Sequence, residues 1–153
     1  MNAPMLTEAI KKSIDESVLC WLATIDENGC PNVSPKEMFM HYSDNSVLVA
    51  NIASPSSERN ILANPNVCLS FVHVLKQKGY KLNGRARVVE QTHTEFHPLV
   101  EELYSLGGRE FQIQSVFVIT VERAHPILAP SYWLFPDTNE QSQIAKAKAQ
   151  YGL

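Results

Sequence analysis

Val47-Leu48-Val49-Ala50-Asn51-Ile52-Ala53-Ser54-Pro55-Ser56-Ser57-Glu58-Arg59-Asn60 is the stretch on which the fold turns. Residues 47–53 form a nearly continuous apolar run, the pattern of a strand covered on both faces. A short helix follows at once, with Ser56 or Ser57 as its cap, Glu58 in its first turn and Asn64-Pro65 as its stop. The segment from Ser54 to Asn60 therefore joins a buried strand to a helix N-terminus. Free backbone N–H groups collect there, and two hydroxyls and a guanidinium add donors, which is what a phosphate monoester needs. Plain serine capping of the helix accounts for the same residues.

Outward from this core the chain reads as short strands with inserted helices. Thr7 caps a first helix, in which Ile10, Ile14 and Val18 recur at helical spacing. A β-rich run over 18–25 closes on Asn28-Gly29, a hairpin signal because both residues tolerate positive φ. Further strands are expected over 32–42, 67–74, 80–90 and 112–121. In the run over 80–90, Tyr80, Leu82, Gly84, Ala86 and Val88 share one face. Thr92-x-x-Glu95 reads as a capping box for a helix that Gly107-Gly108 ends. Pro126, Pro130 and Pro136 punctuate the segment beyond the last strand. The predicted order is α-β-β-β-α-β-β-α-β-α, without the strand–helix alternation of a doubly wound sheet. A mainly β fold results: a small closed or partly open antiparallel barrel with peripheral helices, since closure removes edge strands.

Composition bounds the function. The 153 residues are expected to form one domain, 1–153, with a helical segment over 5–17 and a helical tail over 138–151. At 44% apolar and 19% charged residues the chain is no disordered protein. A net charge of −3 speaks against a nucleic-acid partner. No run approaches the roughly 18–20 apolar residues of a membrane helix. The N-terminus shows no basic region followed by an apolar stretch, so a cytoplasmic protein is expected. Cys20, Cys30 and Cys68 form no disulfide framework or zinc pattern. His93 and His97 lie four apart around Glu95, but the His-Glu adjacency of a zincin is missing, so no metal is assigned. Nucleophile-elbow, Rossmann and Walker motifs are absent. Between residues 58 and 87, Arg59, Lys76, Lys78, Lys81, Arg85 and Arg87 face one acid, Glu58. A local basic excess in an acidic chain points to a small anionic ligand; a solvated strand face is the alternative.

Taken in order, Trp21-Leu22-Ala23-Thr24-Ile25, Pro31-Asn32-Val33-Ser34-Pro35-Lys36-Glu37, Ala50-Asn51-Ile52-Ala53-Ser54-Pro55, Arg59-Asn60-Ile61-Leu62-Ala63-Asn64-Pro65 and Gln77-Lys78-Gly79-Tyr80-Lys81-Leu82-Asn83-Gly84 resemble the pyridoxine 5′-phosphate oxidase-like flavin-binding split barrels over about residues 15–125. The resemblance is strongest to their predicted flavin-nucleotide-binding branch. It implies a six-stranded antiparallel split barrel that forms a homodimer and binds flavin mononucleotide (FMN) in clefts at the subunit interface. By the same resemblance Lys36 contacts the flavin, with Val33, Ser34 and Pro35 beside it, and Ala50, Asn51 and Ile52 line the ring. Ser56, Ser57, Arg59 and Asn60 would grip the phosphate, with Arg59 in place of the lysine that many relatives carry in a Ser-x-Lys turn. Gln77 and Lys78 would reach the cofactor from the partner subunit.

The implied function is that of an FMN-dependent oxidoreductase acting with a small-molecule electron donor or acceptor. Alternatives are a non-catalytic flavin-binding or storage protein and a heme-binding relative that would use His41, His73 or His125. The chain closes on Ala147-Lys148-Ala149-Gln150-Tyr151-Gly152-Leu153 instead of the oxidase's Arg- and His-bearing substrate segment, so vitamin B6 oxidation is not expected. No catalytic residue is nominated.

Overall fold

The computed structural model describes residues 5–153; the first four residues, part of the reading of the N-terminus, lie outside it. Helix α1 (Glu8–Glu16) starts where Thr7 accepts a hydrogen bond from the Ile10 N–H at 3.3 Å. Seven antiparallel strands follow: β1 (Cys20–Ile25), β2 (Pro31–Lys36), β3 (Phe39–Ser43), β4 (Ser46–Asn51), β5 (Asn66–His73), β6 (Lys78–Glu90) and β7 (Ser115–Leu128). They form one sheet in the order β2-β1-β5-β6-β7-β4-β3. Helices α2 (Pro55–Ala63), α3 (Phe96–Tyr104), α4 (Ser131–Leu134) and α5 (Glu140–Tyr151) lie outside the sheet order.

The sheet curls on itself. Phe39, on the last strand in the order, stands 6.2 Å from Phe71 on the third, ring to ring. The interior holds Leu22, Val49, Leu69, Leu82, Phe117 and Ile119, and α1 adds Ile10 and Ile14 to it. A second core lies between α3 and the opposite side of the sheet, where Leu99, Val100 and Leu103 meet Leu48, Val89, Val116 and Val118. Strand β4 belongs to both: Val47 and Val49 point into the curl, Leu48 and Ala50 toward α3. That is why its sequence is apolar without alternation.

There are seven strands where six were expected, because the run over 32–42 is two strands. Lys36 and Phe39 are both buried, a spacing of three that breaks the period of two. Between them the chain leaves β1's edge and joins β4's, so the two ends of the sheet, β2 and β3, remain unpaired with each other. The barrel is split at that line. Strand β7 runs to Leu128, past the expected end at 121. Beyond Thr120 it pairs only with β6, so Pro126 has an open side for its missing N–H. A register shift between Asn83 and Gly84 absorbs Glu122, and a Cβ at Gly84 would stand 2.2 Å from the Thr120 carbonyl oxygen. Only glycine allows that approach.

Three local readings are corrected. Helix α2 is entered from Ser54 with Pro55 in its first turn, so neither Ser56 nor Ser57 is the cap. The Thr92–Glu95 capping box does not form. Glu95 precedes α3 directly and is held instead by Arg87 at 2.7 Å. Val18, read with Ile10 and Ile14 as one helical stripe, lies beyond the end of α1 and is 86% exposed. No helix of the described residues is long and apolar enough to cross a membrane.

Candidate functional site

The split between β2 and β3 places the chain's unusual side chains together. Lys36 ends β2, pointing inward like Leu22 and Cys20 on the neighbouring strand, and is only 6% exposed. Its Nζ donates to Ser54 Oγ across the split. Burial pulls the Lys36 ammonium below its ordinary pKa, opposed weakly by the neighbouring Cys20. Burial likewise pushes the Cys20 thiol up to about 12, so it is an inert core group and no nucleophile. Ser54 stands where a helix cap would, yet makes no side-chain cap bond because its hydroxyl faces the lysine.

Asn51 sets this turn. Its side-chain oxygen accepts the Ser54 N–H at 2.9 Å, and its amide donates to Ser115 Oγ on β7 at 2.9 Å. Fully buried, it holds Ser54 toward Lys36 and does not itself line the cleft. The cleft of about 450 Å3 that opens here is walled by Pro35, Lys36, Ala50 and Ile52 and, from the loop after α3, by Leu106 and Phe111. Its volume lies in the range of small-molecule sites.

A second cleft of about 420 Å3 lies farther back along β2, bordered by Asn32, Ser56, Arg59 and Asn60 and, from the β1–β2 turn, by the carboxylates of Asp26 and Glu27. Arg59 is exposed and donates to Ser56 Oγ at 3.2 Å. Between the two clefts Ser34 and Ser57 bring their hydroxyls to 3.4 Å, closing β2 onto the first turn of α2. Pro55 has no N–H and the Glu58 N–H already bonds to the Ser54 carbonyl, so the helix leaves the N–H groups of Ser56 and Ser57 without a backbone partner; Ser56 is exposed and Ser57 buried. Asn60 is tied inward by a 3.0 Å bond from its amide to Thr24 Oγ1 and braces α2 against β1.

Of the residues read from the sequence, the split thus assembles Ser34, Pro35, Lys36, Ala50 and Ile52 with Ser56, Ser57 and Arg59. Val33 points to the outer face of the sheet, 55% exposed. Gln77 and Lys78 lie at the far end of the β6–β7 ribbon, away from the Asn51–Ser115 end. Gln77, at φ +55°, accepts from the Gln143 amide at 2.7 Å, and Lys78 pairs with Glu140 at 3.3 Å and stands 4.5 Å over the Tyr132 ring. In this chain these two residues hold the C-terminal helices. Sequence reading missed Ser54 as the lysine's partner and missed the loop of Leu106 and Phe111. The only sequence mark of that loop is Gly107-Gly108, with Gly108 at φ +102°.

A curled antiparallel sheet split beside a buried cation, with a helix N-terminus closing the gap, defines the split-barrel class. Residues 6–127 match the family described as pyridoxamine 5′-phosphate oxidase, and the chain belongs to that family. No curated protein matches it at a significant level. Among solved structures it is similar to HupZ of Group A Streptococcus (22% identity, TM-score 0.70, 82% of this chain and 96% of that one). It is also similar to an FMN-binding protein from Syntrophomonas wolfei subsp. wolfei (14%, 0.69, 81% and 87%). HutZ, the heme storage protein from Vibrio cholerae, shares the fold as well (23%, 0.62, 80% and 94%).

Proposed function

We propose that the chain binds FMN along β2, ring in the Lys36 cleft and phosphate at Ser56, Ser57 and Arg59, and works as a flavin-dependent oxidoreductase of small molecules. The observation that carries this reading is the pair of clefts along β2, a buried ammonium in one and, in the other, an exposed guanidinium beside Ser56 at the start of α2. An elongated ligand with an electron-rich ring and a terminal anion suits that sequence of groups. When bound, the flavin supplies the hydride and electron chemistry. The protein's part is to hold it: Lys36 favours negative charge on the ring, and Asn51 keeps Ser54 and Lys36 aligned.

A neighbour that stores heme raises the heme alternative. Among the described residues lining the Lys36 cleft there is no histidine; His41 and His73 are engaged elsewhere, with Asp15 and with the Lys76 N–H, and His125 is exposed on β7 opposite Lys81. The flavin reading is therefore preferred. Reduced nicotinamide added to the flavin-loaded protein should bleach the visible bands. Bleaching by dithionite alone would leave a binding protein without this activity.

A homodimer is part of the proposal. The outer face of β1, β2 and β5 exposes Trp21, Val33 and Val72, and a face of this kind is normally covered. A stable interface needs to bury on the order of 1,200 Å2. Sedimentation at micromolar concentration should show twice the chain mass, and Trp21→Glu should shift it to monomer. A wild-type monomer that binds flavin would exclude the shared cleft.

A further inference from the structure

We propose that the loop joining α3 to β7 forms the substrate side of the Lys36 cleft and selects planar aromatic molecules that are neutral or cationic over anionic ones. This rests on the reading of that cleft as the ring site. Leu106 and Phe111 line the cleft together with Met38 and Ile52, and they are 49% and 57% exposed. Two large apolar side chains left open beside an apolar wall provide a stacking surface for a flat ring.

The loop is held in place. Tyr104 donates its hydroxyl proton to the Phe111 carbonyl at 3.1 Å and accepts the Ile113 N–H at 3.3 Å. Arg109, the loop's one basic residue, is drawn away to α3, where Glu101 takes both ends of its guanidinium at 3.0 and 2.6 Å and the Tyr104 ring lies 4.9 Å below it. The charges that remain on the cleft are Lys36 at its base, buried and engaged with Ser54, and Glu37 and Glu110, both exposed. Among the described residues of this chain, a second molecule approaching between Phe111 and the base of the cleft passes two carboxylates and no free cation. Anionic substrates, phosphate esters among them, meet repulsion there.

Nicotinamide, the N-methylnicotinamide cation and nicotinate share one ring and differ in charge. They serve as probes, titrated calorimetrically into the full-length protein with and without FMN. Nicotinate should bind about two- to fivefold more weakly than nicotinamide at low ionic strength, and the gap should close as salt rises. Glu110→Gln should narrow the gap, and Phe111→Ala should weaken all three probes by roughly three- to tenfold, on the flavin-free protein as well as on the loaded one. Phe111 is exposed, so this variant loses no core packing, and an unchanged thermal midpoint confirms that it folds. Equal affinities for the three probes, or unchanged probe binding in Phe111→Ala, would overturn the inference. Absence of FMN uptake would overturn the flavin reading alone, and the ranking on the flavin-free protein would still decide the role of the loop.

Discussion

Replacing Arg59 by alanine is expected to lower affinity for FMN by about one to two decades and to leave affinity for riboflavin almost unchanged. FMN differs from riboflavin by a phosphate monoester of about −1.5 to −2 charge at neutral pH. Arg59 is the fifth residue of α2, its guanidinium 3.2 Å from Ser56 Oγ, and among the described residues it is the one base on a cleft that Asp26 and Glu27 also border. A hydrogen bond to a charged group is worth about 1.5–3 kcal/mol, which sets the size of the loss. Because Arg59 is exposed and alanine favours helix, the fold should not suffer. Rising salt should weaken FMN more than riboflavin in the wild type, and this difference should vanish in the variant. Fluorescence-quenching titration of both flavins into both proteins reads all four constants. Equal losses for the two ligands would mean that Arg59 supports the fold or the ring site and not the phosphate.

Lys36→Met should give the opposite pattern, weakening FMN and riboflavin alike by about tenfold or more, since the contact removed lies at the ring both share. Methionine preserves the apolar stem, whereas alanine would leave a cavity as well as an unpartnered Ser54. Lys36 is buried, and burial gives the same substitution a second signature. Its folded-state pKa is lowered, so over the alkaline window between that value and the ordinary lysine value the unfolded chain holds more protons than the folded one. Stability of the flavin-free wild type should therefore rise with pH through that window, relative to a Lys36→Met variant that lacks the group. Urea midpoints of the two proteins measured across alkaline pH test this, and parallel profiles would contradict the burial of a charged ammonium.

The strands were legible because their apolar patterns are local. The double-sided burial of β4 shows directly in Val47-Leu48-Val49-Ala50, and the Asn28-Gly29 turn marks the first hairpin. What the sequence could not reveal depends on contacts between distant segments. The split of the second run depends on a change of edge between Lys36 and Phe39, where β2 leaves β1 and β3 joins β4. Helix α3 begins at Phe96, after the glutamate that would have completed the capping box, and that glutamate is held by Arg87, eight residues earlier. At the site, the resemblance supplied Lys36 and the serine turn. The pairing of Lys36 with Ser54 spans eighteen residues and the wall of Leu106 and Phe111 comes from a loop after α3, so neither has a spacing to read. The placement of Asn51 and Asn60 as braces also needed the fold, since an amide beside a ligand and an amide binding a neighbouring hydroxyl look the same in sequence.

The most direct test of flavin binding in the split is competitive loading of the purified full-length protein with FMN, riboflavin and hemin, followed by visible absorbance. The proposal predicts saturable uptake of FMN with perturbed flavin bands, weaker uptake of riboflavin, and no Soret shift with hemin. Stoichiometric hemin binding with no change in the flavin bands would contradict it.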